Sequence, residues 1–480
     1  MGMEPDRTAS APSPGGRLTN AQLLIFGLPA LPHAIVMTPI STLLPTFYAA
    51  HTTVSLAQIG VVAAAARIFD ALNDPIVGYL SDRTHTRLGS RKPWLIGAII
   101  VCTASITQLF QPPADATALY YALWSCILFT GFTMFEIPRT AWSSELTRDY
   151  RERSRIVMYV ALFNIMGSLL LYVTPIITSL ITGGSTKMGP DTLATVSWAY
   201  MVVMPLSVIA TIILVPQGTK VVTHKATMRG IAASLWRSKP LLRFCCIMVL
   251  WGLGQGANLA TVFIFQTDYM HLGAEFAFIM IVLMSLQITA LPVWSRILGR
   301  VDRHHIWAIV MGGGALLTPI ALFFPRGPEA LIPVLILAAF KGLLMAPTNF
   351  LPTAVLGDVI DYDTMKTGSN KAGNFFAFKS ILSRIALAIG GAIAFGILGA
   401  FDYQVGKEND ATANLGLLIA YMGVPMVFHL AMAALCWTFP IDSRRHKVIQ
   451  RRLETRRARL EGTPKVASPL IAGGALPAAT

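Results

Sequence analysis

Long apolar stretches alternate with short polar loops along the whole of this 480-residue chain. Each stretch has about 18 or more residues with few charges, which as a helix is enough to span a bilayer core of roughly 30 Å. The loops between them are rich in Gly, Pro and charged residues, as turns between helices are. The pattern predicts twelve transmembrane helices, at 22–50, 56–80, 94–113, 118–138, 157–182, 195–215, 241–269, 274–298, 305–324, 331–352, 373–398 and 414–438.

The composition places the chain in the all-α membrane class. Charged residues make up 13% of it, against about 25% in soluble domains, and 54% of the residues are hydrophobic. The first twenty residues lack the apolar core of a cleaved signal peptide, so the first span is expected to remain as an anchor. The five cysteines all fall in apolar spans without metal-site spacing, so neither disulfides nor structural zinc are expected.

The basic charge, +14 in total, follows the expected membrane topology. With loops assigned alternately to the two sides, 30 Lys and Arg residues share the side of both termini, and only Lys187, Arg326 and Lys407 lie on the other. Cytoplasmic loops carry such an excess. Both termini are therefore expected in the cytoplasm of a multi-pass protein of the plasma membrane, the inner membrane of a bacterium. The charge does not indicate nucleic-acid binding.

The longest polar interruption divides the predicted spans into six and six. The expected organisation is a cytoplasmic tail (1–20), an amino-terminal bundle (21–215), a central cytoplasmic loop (216–240), a carboxyl-terminal bundle (241–440) and a basic cytoplasmic tail (441–480). The tail segment 443–462 is expected to form a solvated helix or one held by anionic lipid headgroups. Equivalent loops of the two halves, 78–94 and 291–307, are both short, basic and closed by Trp. Such parallel repeats are common in secondary transporters, whose substrate site lies between the halves near the bilayer midplane.

Charged residues interrupt the second apolar span, in ARIFDALNDPIVGYL at 66–80. Arg67, Asp70 and Asp74 are spaced three and four residues apart and so share one helix face. Facing lipid, three such residues would cost roughly 8 to 10 kcal/mol, so they must face protein or water. Arg67 paired with one aspartate is a structural explanation, but it leaves the second carboxylate without a role.

Both carboxylates have a role if this face of the helix binds a cation. Hard cations take oxygen ligands, and Asp70 and Asp74, one helical turn apart and near the amide oxygen of Asn73, form a compact acceptor cluster for Na⁺ or another small cation. Pro75 lacks an N–H and so frees the carbonyl oxygen of Ala71. Because like charges in proximity raise the pKa of one of them, coupling to protons is open as well.

The same residues carry a resemblance to a family. RIFDALNDPIVGYLSDRTHTRLGSRKPW resembles the second span and following loop of the glycoside, pentoside and hexuronide cation symporters of the major facilitator superfamily. FEIPRTAWSSELTRDYRERSR (135–155) and GDVIDYDTMKTG (357–368) are similar to that family's fourth span and to the segment before its eleventh. The resemblance covers about 22–440. It implies the major facilitator fold, with twelve transmembrane helices in two pseudo-symmetric six-helix bundles.

The resemblance also implies roles for individual residues. The cation, the one bound metal ion expected, is assigned to Asp70 and Asp74, with Asn73 between them and Thr133 of the fourth span contributing. No cofactor is expected beyond this coupling cation, Na⁺ or H⁺. The second-span loop supplies candidate gating residues, which are Asp82, Arg83, Gly89 and Arg91.

The substrate side departs from the family pattern. Its acidic residue in the fourth span corresponds to Glu136, and its basic residue in the eleventh span to Arg384; Lys379 and Asn349 are further candidate contacts. Acids that the family carries early in the first span and before the eleventh are replaced here, the second of them by Ala372. Arg384 is expected to bind an anionic group of the solute, and a purely structural Glu136–Arg384 pair is the alternative.

The leading hypothesis is cation-coupled symport of a small polar solute, such as a glycoside, a uronide or another sugar-like compound. The same fold carrying an amphiphile such as a lysolipid is the second, because related symporters use a similar aspartate pair. An intramembrane prenyltransferase is a remote third: NDPIVGYLSD resembles its acidic motif but has the wrong spacing. The identity of the solute, the choice between Na⁺ and H⁺, the direction of transport and the oligomeric state stay open; a monomer is compatible with the sequence.

Topology gives the first test. Single cysteines introduced at Ser90 and Thr186 should react with an impermeant maleimide from opposite sides of the membrane, because the loops that hold them are separated by an odd number of spans. Labelling in intact cells and in inverted vesicles measures this, with the parent protein as the control for native cysteines. Reaction of both positions from the same side would contradict the predicted topology.

Overall fold

The computed structural model describes residues 18–147, 150–183, 185–218, 238–298, 300–368 and 372–460. These residues form thirteen long helices, some of them interrupted. They are α1 (Asn20–Thr42), α2 (Leu56–Arg83), α3 (Lys92–Phe110), α4 (Ala118–Leu146), α5 (Tyr150–Thr182), α6 (Pro190–Leu214), α7 (Lys239–Tyr269), α8 (Phe276–Thr289 and Leu291–Ile297), α9 (Arg303–Phe323), α10 (Pro328–Thr367), α11 (Ala372–Ala400), α12 (Ala411–Trp437) and α13 (Ser443–Leu460).

Within the described residues, eleven helices are long and apolar enough to cross a membrane, and the bent pair α8 makes a twelfth. The two parts of α8 meet at 41°, where Pro292 removes a backbone donor. The twelve predicted spans are confirmed. The tenth span is predicted to end at 352, and the helix itself continues beyond it: α10 runs on through GDVIDYDTMKT to Thr367, a polar segment that can be helical outside the apolar layer.

Helix starts follow from local sequence. Thr19 and Ser55 precede α1 and α2, and each accepts a hydrogen bond from the backbone N–H of a glutamine three residues on, Gln22 or Gln58. The glutamine side chains accept in turn from the cap backbone, which completes a capping box at each end. Thr117 caps α4 with its side chain alone, which accepts a hydrogen bond from the backbone N–H of Tyr120. These caps satisfy N–H groups that the first helical turn leaves without partners.

Helix α11 links the two halves. It packs on α7 of its own half and on α2 of the other half. At the α7–α11 crossing the backbones are in near contact, since a Cβ at Gly390 would overlap the carbonyl oxygen of Leu253, and one at Gly256 would overlap that of Leu387. Small residues at a crossing permit such close approach, as they do at helix interfaces in membranes.

The halves are in closest contact at the end of the bundle opposite the termini. A Cβ at Gly60 of α2 would lie 3.0 Å from the Cβ of Phe395, and one at Gly399 would lie 3.2 Å from the Cβ of Ala57. Helices α5 and α8 form a second contact between the halves. Near it, Thr186 donates a hydrogen bond to the carbonyl of Ala274 at 3.1 Å.

The tail helix α13 packs along the terminal end of α10. Ile449 and Leu453 are buried, and Gln450 donates to Asp361 at 2.6 Å. At its start, the hydroxyl and backbone N–H of Ser443 both donate to Asp302, and these bonds, the hydroxyl's first, lower the pKa of Asp302. The prediction of a solvated or lipid-held helix is therefore wrong for one face, because two apolar residues a turn apart give that face something to bury.

Three predicted segments lie wholly or largely outside the described residues. They are the amino-terminal tail at 1–17, most of the central loop at 219–237, and the end of the basic tail at 461–480. The division of the chain at these positions stays a prediction.

The glycine crossing yields a stability prediction. Gly390→Ala should destabilise the protein by about 1–3 kcal/mol, the usual cost of overpacking, because its methyl group would meet the Leu253 backbone. Gly396→Ala, on the same helix with nothing within 4 Å of the added carbon, is the matched control. Thermal unfolding of the purified proteins in detergent measures both. Equal melting temperatures for the two variants would contradict the close α7–α11 contact.

Candidate cation and substrate site

Two aspartates of α2 face α4 inside the amino-terminal half. Asp70 and Asp74 lie one turn apart, and Oγ1 of Thr133 is 3.1 Å from Oδ1 of Asp70 and 2.9 Å from Oδ1 of Asp74. One hydroxyl proton can be donated to only one of them at a time. Three oxygen-bearing side chains predicted for the cation are thus brought together. The fourth, Asn73, is adjacent in sequence, and its buried Nδ2 has no hydrogen-bond partner among the described residues.

Arg384 of α11 reaches this site from the other half. Its Nη1 lies 3.3 Å from Asp70 and 3.0 Å from Asp74, and its Nη2 lies 3.2 Å from Oε2 of Glu136 on α4. The Glu136–Arg384 pair, which the sequence offered as the alternative to anion binding, is present. We call Asp70, Asp74 and Glu136 the carboxylate cluster. The bonds to both aspartates were not predicted. Arg384 is already held by three carboxylates, so to bind an anion of the solute it would first have to leave them.

Two further arginines adjoin the carboxylate cluster. Arg67 lies 4.0 Å from Asp70, donates to Ser41 at 3.4 Å and covers the ring of Phe129 at 4.4 Å. The sequence offered Arg67 as a partner for one of the two aspartates. The structure makes Asp70 that partner, at the longest distance that still counts as an ion pair. Arg139 is buried one turn after Glu136, with its guanidinium over Phe135 at 4.9 Å; the sequence reasoning missed it. Together with Arg384 these arginines balance the three carboxylates charge for charge.

The accessible fraction of the side chain increases across the carboxylate cluster. It is 4% for Asp70, 14% for Asp74 and 41% for Glu136. Glu136 is therefore the most accessible of the three carboxylates. Arg384, with 25% of its side chain accessible, contacts both the buried aspartates and Glu136.

The predicted gating residues form a network at the terminal end of the amino half. Arg91 contacts Asp82 at 2.9 Å and Ser81 at 3.0 Å, and it also binds Glu145 of α4 at 2.8 Å. Glu145 lies in the motif SSEL and was not singled out, although an acid near a helix end and a basic loop is a signal for such a pair.

Gly89 and Arg83 contribute to the same loop in different ways. Gly89 has a φ of 97°, a conformation that glycine adopts at little cost, and the neighbouring Leu88 carbonyl accepts from Gln217 at 3.0 Å. Arg83 covers the ring of Tyr79 at 4.1 Å. The loop is therefore fastened to α4 and to the segment after α6, both in its own half.

A second site is a cavity of about 420 Å³, lined mainly by helices of the carboxyl-terminal half and, from the amino half, by Thr38, Thr42 and Tyr172. We call it the inner cavity, and its main polar lining consists of Gln255, Asn258, Gln266, Gln287, Lys341 and Asn349. Of the predicted substrate residues it contains Asn349 only. Lys379 instead donates to Thr353 at 3.1 Å. The other four amides were missed, although polar side chains inside apolar spans are a signal of a functional site.

An aromatic stack separates the inner cavity from a vestibule at the end opposite the termini. Phe265 stacks on Tyr421 at 4.3 Å and on Tyr269 at 5.3 Å. Phe265 and Tyr421 line the inner cavity, whereas Tyr269 and Arg326 line the vestibule, a space of about 810 Å³. All three rings lie in π-helical turns, Phe265–Tyr269 and Ile419–Gly423. Such turns are rare and frequent at functional sites.

Comparisons with known proteins agree with these features. The family model described as "MFS/sugar transport protein" matches residues 25–443. The isoprimeverose transporter of Lactiplantibacillus pentosus is 26% identical over 85% of this chain and 86% of its own. The putative glycoside/cation symporter YagG of Escherichia coli (strain K12) is 26% identical over 94% of this chain and 99% of its own. The sodium-dependent lysophosphatidylcholine symporter 1 of Xenopus tropicalis is more distant, at 22% identity over 94% of this chain and 93% of its own.

A solved structure supports the same fold. The nucleoside transporter NupG has a TM-score of 0.61 and 13% identity to this chain, covering 88% of it and 98% of NupG. These similarities are to transporters, so the prenyltransferase alternative is set aside. The chain, matched over nearly its whole length and folded as twelve spans in two halves, belongs to the MFS/sugar transport protein family of the major facilitator superfamily.

Proposed function

We propose that this protein is a symporter that uses a gradient of Na⁺ or H⁺ to move a small, polar, sugar-like solute by alternating access of its two halves. One observation carries the proposal: the aspartate pair of α2 is held by a guanidinium from α11, in the opposite half. A cation that binds these carboxylates changes the principal charged link between the halves. The names of the two glycoside-type relatives above agree with this reading.

Asp70, Asp74 and Thr133 form the cation site in this proposal, with Asn73 as a further amide ligand. Carboxylate, hydroxyl and amide oxygens suit a hard cation such as Na⁺. The guanidinium of Arg384 contacts one oxygen of each aspartate, so a metal cation and Arg384 compete for the same charge. A proton on either aspartate would weaken the same bonds, and this keeps H⁺ coupling within the scheme.

Competition of this kind couples the cation to the solute. A ligand shifts a conformational equilibrium only by its difference in affinity for the two states. The cation favours states in which Arg384 has left the aspartates, and the link from α11 to α2 is then weaker. Glu136, the exposed member of the cluster, remains able to hold Arg384 or to accept hydrogen bonds from the hydroxyls of a solute.

The cellular setting follows from the distribution of charge. We place both termini and the Arg91 network in the cytoplasm, because the loops on that side are basic, and the protein in a plasma membrane. A monomer is compatible with the proposed activity.

A lysolipid-like amphiphile is the second candidate cargo, favoured by the similarity to the lysophosphatidylcholine symporter. The amides and the lysine of the inner cavity favour the sugar-like solute, whereas its apolar side chains would also accept an amphiphile. Glycosides and lysolipids can be tested as competitors in the same solute-uptake assay. The class that inhibits uptake identifies the cargo.

Loss of a carboxylate tests the cation site. Asp74→Asn should abolish solute accumulation driven by a Na⁺ or H⁺ gradient in proteoliposomes, because it removes a ligand charge at nearly constant volume. Asp70→Asn should do the same or change the preferred ion. Asp115→Asn, an exposed loop carboxylate, is the control and should accumulate solute normally. If both site variants still concentrate solute, the cation binds elsewhere.

Competition between Arg384 and the cation makes a second prediction. Arg384→Gln should tighten apparent Na⁺ affinity by about 5- to 150-fold, the range of typical coupling free energies, while gradient-driven accumulation is lost. Arg384→Lys should lie between it and the parent, since an ammonium cannot match the two-pronged geometry of a guanidinium. The melting temperature as a function of Na⁺ concentration at fixed pH measures the apparent Na⁺ affinity. The melting temperature as a function of pH without Na⁺ gives the same information for protons. Cation dependence identical to that of the parent would refute the competition.

A further inference from the structure

Lys341 of α10 is a positive charge inside the apolar bundle that the carboxylate cluster does not use. Its Nζ donates to the hydroxyl of Thr318 at 3.1 Å. The residues described around the inner cavity include no aspartate and no glutamate. Nor does any carboxylate in the described part of the chain lie within ion-pairing distance of this lysine. A neutral hydroxyl is therefore its only described hydrogen-bond partner.

Burial of the Lys341 ammonium without a counter-charge costs free energy that burial of a neutral side chain would not. Charged groups in a membrane interior are expensive and are usually paired or placed along a substrate pathway. The carboxylate cluster offers no surplus acid, because Arg67, Arg139 and Arg384 already balance its three charges. The charge of Lys341 is thus left to be balanced by something that enters the cavity.

The cavity has the size and lining of a small-ligand site. Its volume of about 420 Å³ lies within the roughly 300–1,000 Å³ of small-ligand pockets. Its lining is largely apolar, with a few polar groups among which are the amides of Gln255, Asn258 and Gln287. Trp251 and Tyr421 supply aromatic walls. Amides beside aromatic faces suit a hydroxyl-bearing ring or chain.

The vestibule beyond the aromatic stack has the same charge preference. Lys187, Arg326 and Lys407, the only basic residues that the loop count leaves on that side, all line it. Of its two acids, Asp268 and Glu408, the first already accepts from the backbone N–H of Gly406 at 2.8 Å. Basic clefts raise the local concentration of anions.

We propose that Lys341 binds the negative charge of an anionic, polyhydroxylated solute, such as a sugar acid, in the inner cavity. This rests on the proposed symport function and names its substrate class. The anion-binding role expected for Arg384 passes to Lys341, because Arg384 is held by three carboxylates. With one cation and one such anion per cycle, the loaded protein carries no added charge across the membrane.

Matched neutral and anionic probes test the assignment. Methyl β-D-glucuronide and methyl β-D-glucoside differ only by a carboxylate in place of a hydroxymethyl group, and the corresponding galacturonide and galactoside, and xylonate and xylitol, extend the comparison. In saturating Na⁺ at neutral pH, at least one anionic probe should raise the melting temperature of the purified full-length protein at concentrations where its neutral partner has no effect. Lys341→Gln should weaken that response about tenfold or more, as expected on losing a hydrogen bond to a charged group.

Two controls separate ligand binding from a structural role. Lys366→Gln, on the same helix but at its terminal end over the ring of Tyr362, should keep the anion response. Without any solute, Lys341→Gln should melt at the parent temperature or above it, because it removes an uncompensated charge. A marked fall in its melting temperature would instead assign Lys341 a structural role and overturn the proposal.

Other outcomes also overturn it. These are stabilisation by neutral probes equal to that by anionic ones, an unchanged anion preference in Lys341→Gln, and no response to any anionic probe. Failure of the symport proposal would give a different result from failure of this one. If the protein is not a symporter, the rise in melting temperature of the parent with an anionic probe would not depend on Na⁺ or pH, but Lys341→Gln would still weaken that rise.

Discussion

One guanidinium holds together the parts of this protein that must move against each other. Arg384 bonds Asp70 and Asp74 on α2 and Glu136 on α4, across the interface between the halves. Charges inside an apolar bundle have little water to compensate them, so most are paired with a charge of opposite sign. The charged contact of α11 with α2 and α4 in this state therefore depends on that one side chain, and so does the availability of the aspartates.

Backbone packing brings Arg384 to this position. The glycines at the α7–α11 crossing let two helices approach until their backbones touch, and the same α11 then crosses α2 near Gly60. Side-chain bulk at these positions would move α11 outward and take its arginine away from the carboxylates. Small residues far from the charged groups are thus a condition of the electrostatic arrangement.

The charged chemistry and the amide chemistry lie in different places. The carboxylate cluster combines three acids and two arginines of the amino half with Arg384 of the carboxyl half, whereas the inner cavity, lined mainly by the carboxyl half, has amides, aromatic rings and one lysine among apolar side chains. An ion-binding region and a hydroxyl-binding region can in this way respond to each other through α11 without sharing ligands. The aromatic stack, set in two π-helical turns, lies at the boundary between that cavity and the vestibule.

The sequence by itself determined what depends on periodicity and composition. Apolar length gave the twelve spans, and the spacing of Asp70 and Asp74 put both on one face, because these properties act over a few residues. It did not give the partners of that face. Arg384 is 314 positions from Asp70, and Glu145 is 54 from Arg91; helical periodicity says which way a side chain points but not which helix it meets. Only the tertiary structure decided that Arg384 holds both aspartates and that Lys341 lies in a cavity whose described lining has no acid, since both follow from how the helices pack.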